Sequence, residues 1–224
     1  MSSGFGPSPR LQKGALVGLD PFNPLASIIV FQYNPETLTR TLTPDTAAER
    51  TEDQAEVLRL VGPPKEMVSA ELEIDATDQL ERGDANASNV GIHPTLAALE
   101  MMLYPKSALV IANEVLNQFG IVEIIPPEAP LTLFVWGVKR VLPVRVNELS
   151  ITEEFFDPAL NPIRARVRIS MRVLNYRDLG LLSPGGAIFM AHQLLKEAMA
   201  TVQGVSTLSG TASFSLGTGI SVSP

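Results

Sequence analysis

The chain has 224 residues, of which 45% are hydrophobic and 18% charged, and its net charge at pH 7 is −7. This length suits one large domain with appendages, and the negative charge argues against sequence-independent binding of nucleic acid. The absence of cysteine excludes disulfides and thiolate metal sites. A surface with so few charges indicates that partners cover part of it.

The N-terminal segment gives no sign of targeting. Residues 1–10 contain no basic-then-apolar secretory pattern, and we expect them to form a flexible arm. No apolar run reaches the ~20 residues that a bilayer-spanning helix requires. We therefore expect synthesis and assembly in the cytoplasm without membrane insertion, and extracellular release only by lysis or as part of a whole particle.

Strands dominate the first part of the chain. Residues 15–20 predict a short strand, and residues 27–33 (SIIVFQY) predict a strand covered on both sides, because both of its faces are apolar. Residues 43–65 are polar and acidic and predict a long loop. Residues 67–77 alternate strictly, which predicts a half-buried strand. Its acidic outer face carries Glu71, Glu73 and Asp75.

Two helices are predicted. Residues 81–91 predict a loop, and His93-Pro94 then marks a helix start, since proline in the first turn has no N–H to lose. A second helix is expected over about 187–202. We divide the chain into the arm, a β domain (11–180), a C-terminal helix region (181–203) and a Ser/Thr/Gly-rich tail (204–224), whose composition favours disorder over a strand that joins a partner sheet.

The most regular pattern is a long hairpin. Residues 131–136 predict a strand, and Gly137 predicts a bend. Two long strands are expected over 141–156 and 162–176, joined by a turn that begins at Asp157 and Pro158. One face of the second strand is apolar, because its side chains alternate. The opposite face carries Arg164, Arg166, Arg168 and Arg172.

This arginine row has two interpretations. In the first it is a solvated face with cross-strand carboxylates, such as Glu154 beside Arg164, each pair contributing ~0.2–1 kcal/mol. In the second it is an interface or a channel lining, where it meets the acidic strand face of a neighbouring copy. Stacking aromatics are not interleaved with the arginines, so a nucleic-acid surface is disfavoured.

We predict no enzyme activity, no cofactor and no metal site. His93 is expected to start a helix, His192 is expected to face solvent or an interface, and neither has a metal-ligand spacing. No nucleophile-elbow, phosphate-binding or dinucleotide motif occurs. Glu153 and Glu154 are adjacent on a strand and therefore point to opposite faces.

The order of several short segments resembles a known family. Over residues 12–177 the chain contains, in this order, VFQYNPETL, AELEIDA, HPTLAALE, LTLFVWG and EFFDPALNPIRARV. This order resembles the N-terminal tube-like domain of baseplate-hub proteins from contractile, phage-tail-like injection systems. Longer members of that family carry a LysM module, and nothing after residue 180 resembles one, so no peptidoglycan binding is carried over.

The resemblance implies a mainly β fold: a tail-tube-like β-sandwich or barrel protomer with long hairpins and two helices, which assembles into a ring. We expect a hexamer whose partners are the spike, the inner tube and other baseplate components. Its expected role is to link the spike to the tube and to initiate tube assembly. Asp157 and Pro158 would make axial contacts, and the arginine row would face the lumen or an adjoining sheet.

Two other functions stay open. An inner tube or cap subunit of the same particle would differ from a hub in its number of copies. A monomeric β-barrel that binds a small apolar ligand would contain an internal cavity and would form no ring.

Overall fold

The computed structural model describes residues 12–19, 28–46, 60–105, 107–118 and 131–209, together with residues 215, 216, 220 and 221. The strands in these ranges are Ala15–Leu19 (β1), Ile28–Val30 (β2), Leu38–Thr43 (β3), Lys65–Asp75 (β4), Leu131–Val135 (β5), Val141–Phe156 (β6), Pro162–Val173 (β7), Ser215–Leu216 (β8) and Ile220–Ser221 (β9). The helices are Thr77–Glu81 (α1), Ala85–Val90 (α2), His93–Glu100 (α3), Ser107–Gln118 (α4), Tyr176–Leu179 (α5) and Pro184–Ser209 (α6).

The first seven strands form one antiparallel sheet in the order β2-β1-β5-β6-β7-β4-β3, and β8 pairs with β9. A bulge between Val146 and Glu148 interrupts β6, and such bulges bend a strand and increase its twist. The side-chain amide of Gln32 donates to the carbonyl of Asp75 (2.7 Å) and accepts from its N–H (3.0 Å). Gln32 follows one edge strand and Asp75 ends the strand next to the other edge, so the sheet curls back on itself.

The core lies on the inner face of this curled sheet. Along β7, Ala165, Val167, Ile169 and Met171 are at most 2% exposed. Helix α3 contributes Leu96 and Leu99, and α6 packs against β6. Aromatic rings fill the β5 end, where Phe134 stacks on Trp136 at a centroid distance of 5.9 Å. Each fully buried Leu or Phe contributes roughly 1.5–3 kcal/mol, so this face supplies most of the hydrophobic stabilisation.

The end of β7 is set by a capping box. The side chain of Asn175 accepts hydrogen bonds from the N–H groups of Arg177 and Asp178, and the Asp178 carboxylate accepts from the N–H of Asn175. This reciprocal arrangement satisfies backbone donors that a helix start leaves unpaired. The predicted strand over 162–176 therefore ends at Val173, and α5 begins at Tyr176.

The prediction of a mainly β protein is confirmed, as are the half-buried acidic strand, the long hairpin and the helix start at His93. The prediction of a strand covered on both sides is wrong for β2. Ile28 is 51% exposed and Val30 is 56% exposed, because β2 is an edge strand with only one face on the core. Ser27, where that prediction began, lies outside the described residues.

The prediction of two helices is also wrong, because six occur in the described residues. The predicted loop 81–91 contains α2, and the unassigned stretch 106–130 contains α4, although 119–130 lie outside the described residues. Helix α6 extends to Ser209, into the predicted tail. Strand β3 was not predicted. Its residues 38 and 40 are half-buried, and its other four residues are exposed.

Parts of several predictions fall outside the described residues. These parts are the arm over 1–10, most of the predicted loop over 43–65, and most of the tail over 204–224. Within the range of the predicted loop, β3 ends at Thr43 and β4 begins at Lys65. Thr46 and Leu60 form an isolated antiparallel β-bridge.

We predict that Gly91→Ala destabilises the fold. Gly91 has a φ of +57°, and a Cβ there would lie 2.2 Å from the Pro162 carbonyl oxygen, which accepts a hydrogen bond from the N–H of Ile92. The clash and the left-handed backbone should together cost about 1–3 kcal/mol, measured by urea unfolding. The control is Gly204→Ala in α6, where nothing lies within 4 Å and a gain of ~0.5–1 kcal/mol is expected.

Candidate assembly interface

The side of the sheet opposite the core is a charged face formed by β4, β6 and β7. The strand register places each arginine of β7 between a residue of β4 and a residue of β6. The three sets nearest the hairpin turn are Asp75, Arg164 and Glu154; Glu73, Arg166 and Thr152; and Glu71, Arg168 and Ser150. The strict alternation of β4 and β7 brings these residues together, since side chains at alternate positions share one face.

Ion pairs connect the three strands across this face. Arg164 contacts Glu73, and its Nε lies 3.9 Å from Asp75 Oδ2 and 4.0 Å from Glu154 Oε2. The cross-strand neighbourhood of Glu154 and Arg164 is thus confirmed. Arg168 Nε lies 3.2 Å from Glu71 Oε2. The acidic residues that we considered as partners for a neighbour's arginines already have cationic partners in their own chain.

Each of these ion pairs contributes little to the free energy of unfolding. The side chain of Arg164 is 31% exposed and that of Glu73 is 42% exposed, so water screens their attraction. We expect each pair to contribute ~0.2–1 kcal/mol, with the most exposed pairs at the lower end of this range. Arg172, the fourth arginine of the row, instead pairs with Asp178 at 2.7 Å and so ties β7 to α5. The paired charges leave this face nearly neutral, and they favour one register of β4, β6 and β7.

Both lateral edges of the four strands β6-β7-β4-β3 carry unpaired backbone. Strand β5 pairs only with the start of β6, from Val141 to Val144. Among the described residues none pairs with β6 on that side from 145 to 156, and none pairs with the outer side of β3. Unpaired N–H and C=O groups in a row are a template for another strand.

The hairpin turn presents apolar side chains. Phe155 is 67% exposed, Phe156 is 51% exposed and Leu160 is 78% exposed. Phe155 and Leu160 have φ values of +54° and +66°, which non-glycine residues seldom adopt. We had predicted axial contacts for Asp157 and Pro158. The Asp157 carboxylate is engaged inside the turn, whereas Pro158 is exposed beside these apolar side chains.

A buried cluster of charges, which the sequence reasoning missed, joins helix α6 to the sheet. Glu66, on the inner face of β4, is 3% exposed. Arg40 Nη2 of β3 lies 2.6 Å from Glu66 Oε1, and Lys196 Nζ of α6 lies 3.2 Å from Glu66 Oε2. Burial raises the pKa of Glu66, but its bonds and charge contacts with Arg40 and Lys196 outweigh this and lower the pKa below its usual value.

His192 lies beside this cluster. We expect from the sequence that it faces solvent or an interface, and its burial contradicts the first of these two positions. It is 7% exposed, and neither ring nitrogen has a hydrogen-bond partner in the described part of the chain. Burial lowers the pKa of His192, and the charge of Lys196 lowers it further. His93, by contrast, is exposed at the start of α3.

Comparisons with known proteins assign the chain to no family. No protein-family model matches the chain, and no curated protein matches its sequence. In the described ranges no three acidic or histidine side chains are arranged to hold a metal ion. No helix in those ranges is both long and apolar enough to cross a bilayer.

We predict that Glu66→Gln is markedly destabilising. The neutral amide would leave Arg40 and Lys196 without their shared carboxylate in a largely buried site. Because those side chains are 25% and 37% exposed, we expect a loss of about 1–3 kcal/mol rather than the full cost of a buried pair. Urea unfolding measures it, with Glu71→Gln as the control on the exposed face of the same strand, expected to cost at most ~0.5 kcal/mol.

We also predict that stability falls as the pH decreases from 7.5 to 5.5 because of His192. The unfolded imidazole has a pKa near ~6.5, whereas the folded one is lower, so below pH 6.5 the unfolded state binds more protons. The His192→Leu variant should lose this part of the pH dependence, measured as the urea midpoint. His93→Gln should keep it; an equal decline in all three proteins would contradict the assignment.

Proposed function

We propose that this chain is a structural ring subunit of a contractile, phage-tail-like injection system, at the baseplate hub, where it links the spike to the inner tube and initiates tube assembly. The observation that carries the proposal is the section β6-β7-β4-β3 of the sheet. Among the described residues its β3 edge is unpaired, and its β6 edge is unpaired from 145 to 156. The order of short segments that resembles tube-like hub domains supplies the biological setting.

The strand directions suit ring closure. Each neighbouring pair in β6-β7-β4-β3 is antiparallel, so β3 and β6 run in opposite directions. The β3 edge of one copy can therefore pair with the β6 edge of the next copy and continue the antiparallel order. Such a contact is heterologous, and heterologous contacts form rings when the rotation closes. Closure also removes the exposed edges.

The expected ring has a defined size. Four strands from each of six copies would make a barrel of about 24 strands, with a backbone diameter of roughly 40–50 Å at ordinary strand spacing and tilt. The core and helices lie on one side of the sheet, so the charged face with Arg164, Arg166 and Arg168 would line the lumen. Its paired charges would present a hydrated and nearly neutral wall.

A second candidate function has one observation in its favour. A cleft of about 470 Å³ lies between β2, the end of β4 and helix α3, with Phe31, Leu72 and Leu99 among its lining residues. This volume is within the range of small-molecule sites, so a monomeric binding protein is the alternative. A tube or cap subunit of the same particle would share the ring and differ in copy number.

We predict that the purified chain forms rings, seen by native mass spectrometry and negative-stain imaging of one sample. Six copies of 24.1 kDa give a mass of about 145 kDa. Replacing both Thr39 and Thr41 with Asp should abolish the rings, because two charged side chains on the β3 edge oppose its pairing with another strand.

The control for this experiment is Thr201→Asp, an exposed threonine of α6 outside the strands, which should leave the rings intact. A wild-type chain that stays monomeric at high concentration, and also when mixed with the spike protein, would overturn the proposal. In that case binding of small apolar probes to the cleft beside Phe31 becomes the next measurement.

A further inference from the structure

A cleft between helix α6 and the β5–β6 turn has a buried histidine in its lining. The cleft measures about 230 Å³, and five of its lining side chains are apolar: Val138, Val141, Ile188, Ala191 and Leu195. Lys139 and His192 also line it. Val138 is 83% exposed, so part of this apolar wall is open to solvent. We name this space the α6 cleft.

His192 lacks the hydrogen bonds that a buried imidazole requires. A neutral imidazole carries one N–H donor and one acceptor nitrogen. The residue is 7% exposed, and no described residue forms a hydrogen bond with either ring nitrogen. A buried donor or acceptor without a partner is costly and is therefore rare in folded proteins. The unpaired imidazole in the lining of a cleft indicates that another molecule supplies the partner.

The charges around His192 are predominantly positive. The groups that act on its imidazole are the cations Lys196, Arg40 and Arg140 and the carboxylate of Glu66. Glu66 is already paired with Arg40 and with Lys196. The side chain of Arg140 forms no ion pair within the described ranges. An additional negative charge beside the imidazole would therefore be favourable.

Two further charged side chains belong to this region. Lys139 is exposed and forms no ion pair in the part of the chain that the structure describes. Glu197 is exposed on α6, and its carboxylate accepts a hydrogen bond from Gln193 Nε2 at 3.4 Å. With these two included, four cations (residues 40, 139, 140 and 196) face two carboxylates (residues 66 and 197). This surplus occurs in a chain whose net charge is −7, so the region is a local attractor of anions.

We propose that the α6 cleft is a binding site for a small amphipathic carboxylate. Its carboxylate would accept a hydrogen bond from the N–H of His192 and balance the charges of Lys139 and Arg140, while its apolar chain would lie against the apolar wall. At ~30 Å³ for each water-sized group, the cleft holds about eight non-hydrogen atoms, which is the size of hexanoate. The inference uses neither sheet edge and does not depend on the proposed ring.

The probe is hexanoate, with hexanol and acetate as matched controls. The chain has two histidines, so labelling histidine with ¹³C gives two imidazole signals in an NMR spectrum of the full chain. Hexanoate should shift the signal of His192 with a Kd of ~0.1–1 mM and leave that of the exposed His93 unchanged. Hexanol lacks the charge and acetate lacks the apolar chain, so each should bind at least about tenfold more weakly.

Two pairs of variants test the position of the ligand. Ala191→Phe fills the cleft and should weaken binding at least about tenfold; Ala191 is exposed, so the larger side chain displaces no core residue. Its control is Ala198→Phe, also exposed and about two turns further along α6. Lys139→Gln should weaken binding about threefold, whereas Arg145→Gln, on the outer face opposite Arg172, should not. Unchanged urea midpoints show that the variants are folded.

Binding should strengthen as the pH falls from 7.5 to 5.5. Burial and the charge of Lys196 keep the pKa of His192 low in the free protein, and a bound carboxylate would raise it, so the complex takes up a proton. Hexanoate stays mostly ionised over this range, since carboxyl groups have a pKa of about 4–5. In His192→Gln the amide keeps an N–H donor but does not titrate, so this variant should bind without the pH dependence.

Three results would overturn this inference. They are an unmoved His192 signal at a hexanoate concentration roughly tenfold above the expected Kd, equal affinity for hexanol, and undiminished binding by Ala191→Phe. Each of them is read from a ligand titration, whereas the ring proposal is read from the mass and the images of the assembled chain. Either proposal can therefore fail while the other stands.

Discussion

The central strand β7 is the element on which the rest of the structure depends. It pairs with β6 on one side and with β4 on the other over almost its whole length. Its inner face, from Ala165 to Met171, is almost completely buried, while its outer face carries the arginine row. A slip of one residue in register would bury the arginines and expose the core, so one strand fixes the position of three.

The buried carboxylate of Glu66 connects the sheet to helix α6, which packs against it. Its partners come from β3 and from α6, so one side chain links the outer strand and the long C-terminal helix to β4. Hydrophobic packing of α6 on the sheet is non-directional, and the ion pairs of Glu66 add directional contacts to it. The same burial favours the neutral form of His192 beside three cations, which makes this region sensitive to acid.

Sequence patterns predicted the strands whose residues alternate strictly. They failed where tertiary contacts determine the secondary structure or the burial. Strands β4, β6 and β7 and the turn at Asp157 followed from period two and turn chemistry. Helix α2 carried no clear apolar stripe, whereas α4 was overlooked although its apolar residues recur at helical spacing. Strand β2 looked buried because its exposed side chains, Ile28 and Val30, are apolar. The pairing of Glu66 with Arg40 joins residues 26 apart, and its link to Lys196 joins residues 130 apart, so no local pattern could show the buried cluster.

The free edge of β6 constrains what the strand can carry on its exposed face. A long hairpin whose outer strand lacks a partner over 12 residues is an aggregation hazard unless something covers it. Alternating charges on its outer face limit wrong pairings by requiring a matching register, because like charges placed opposite each other repel. Strand β5 pairs with β6 only as far as Val144, and the bulge between Val146 and Glu148 follows directly, so the free edge begins where the regular ladder is interrupted. The bulge therefore separates the paired start of β6 from the part whose edge is free to take another strand.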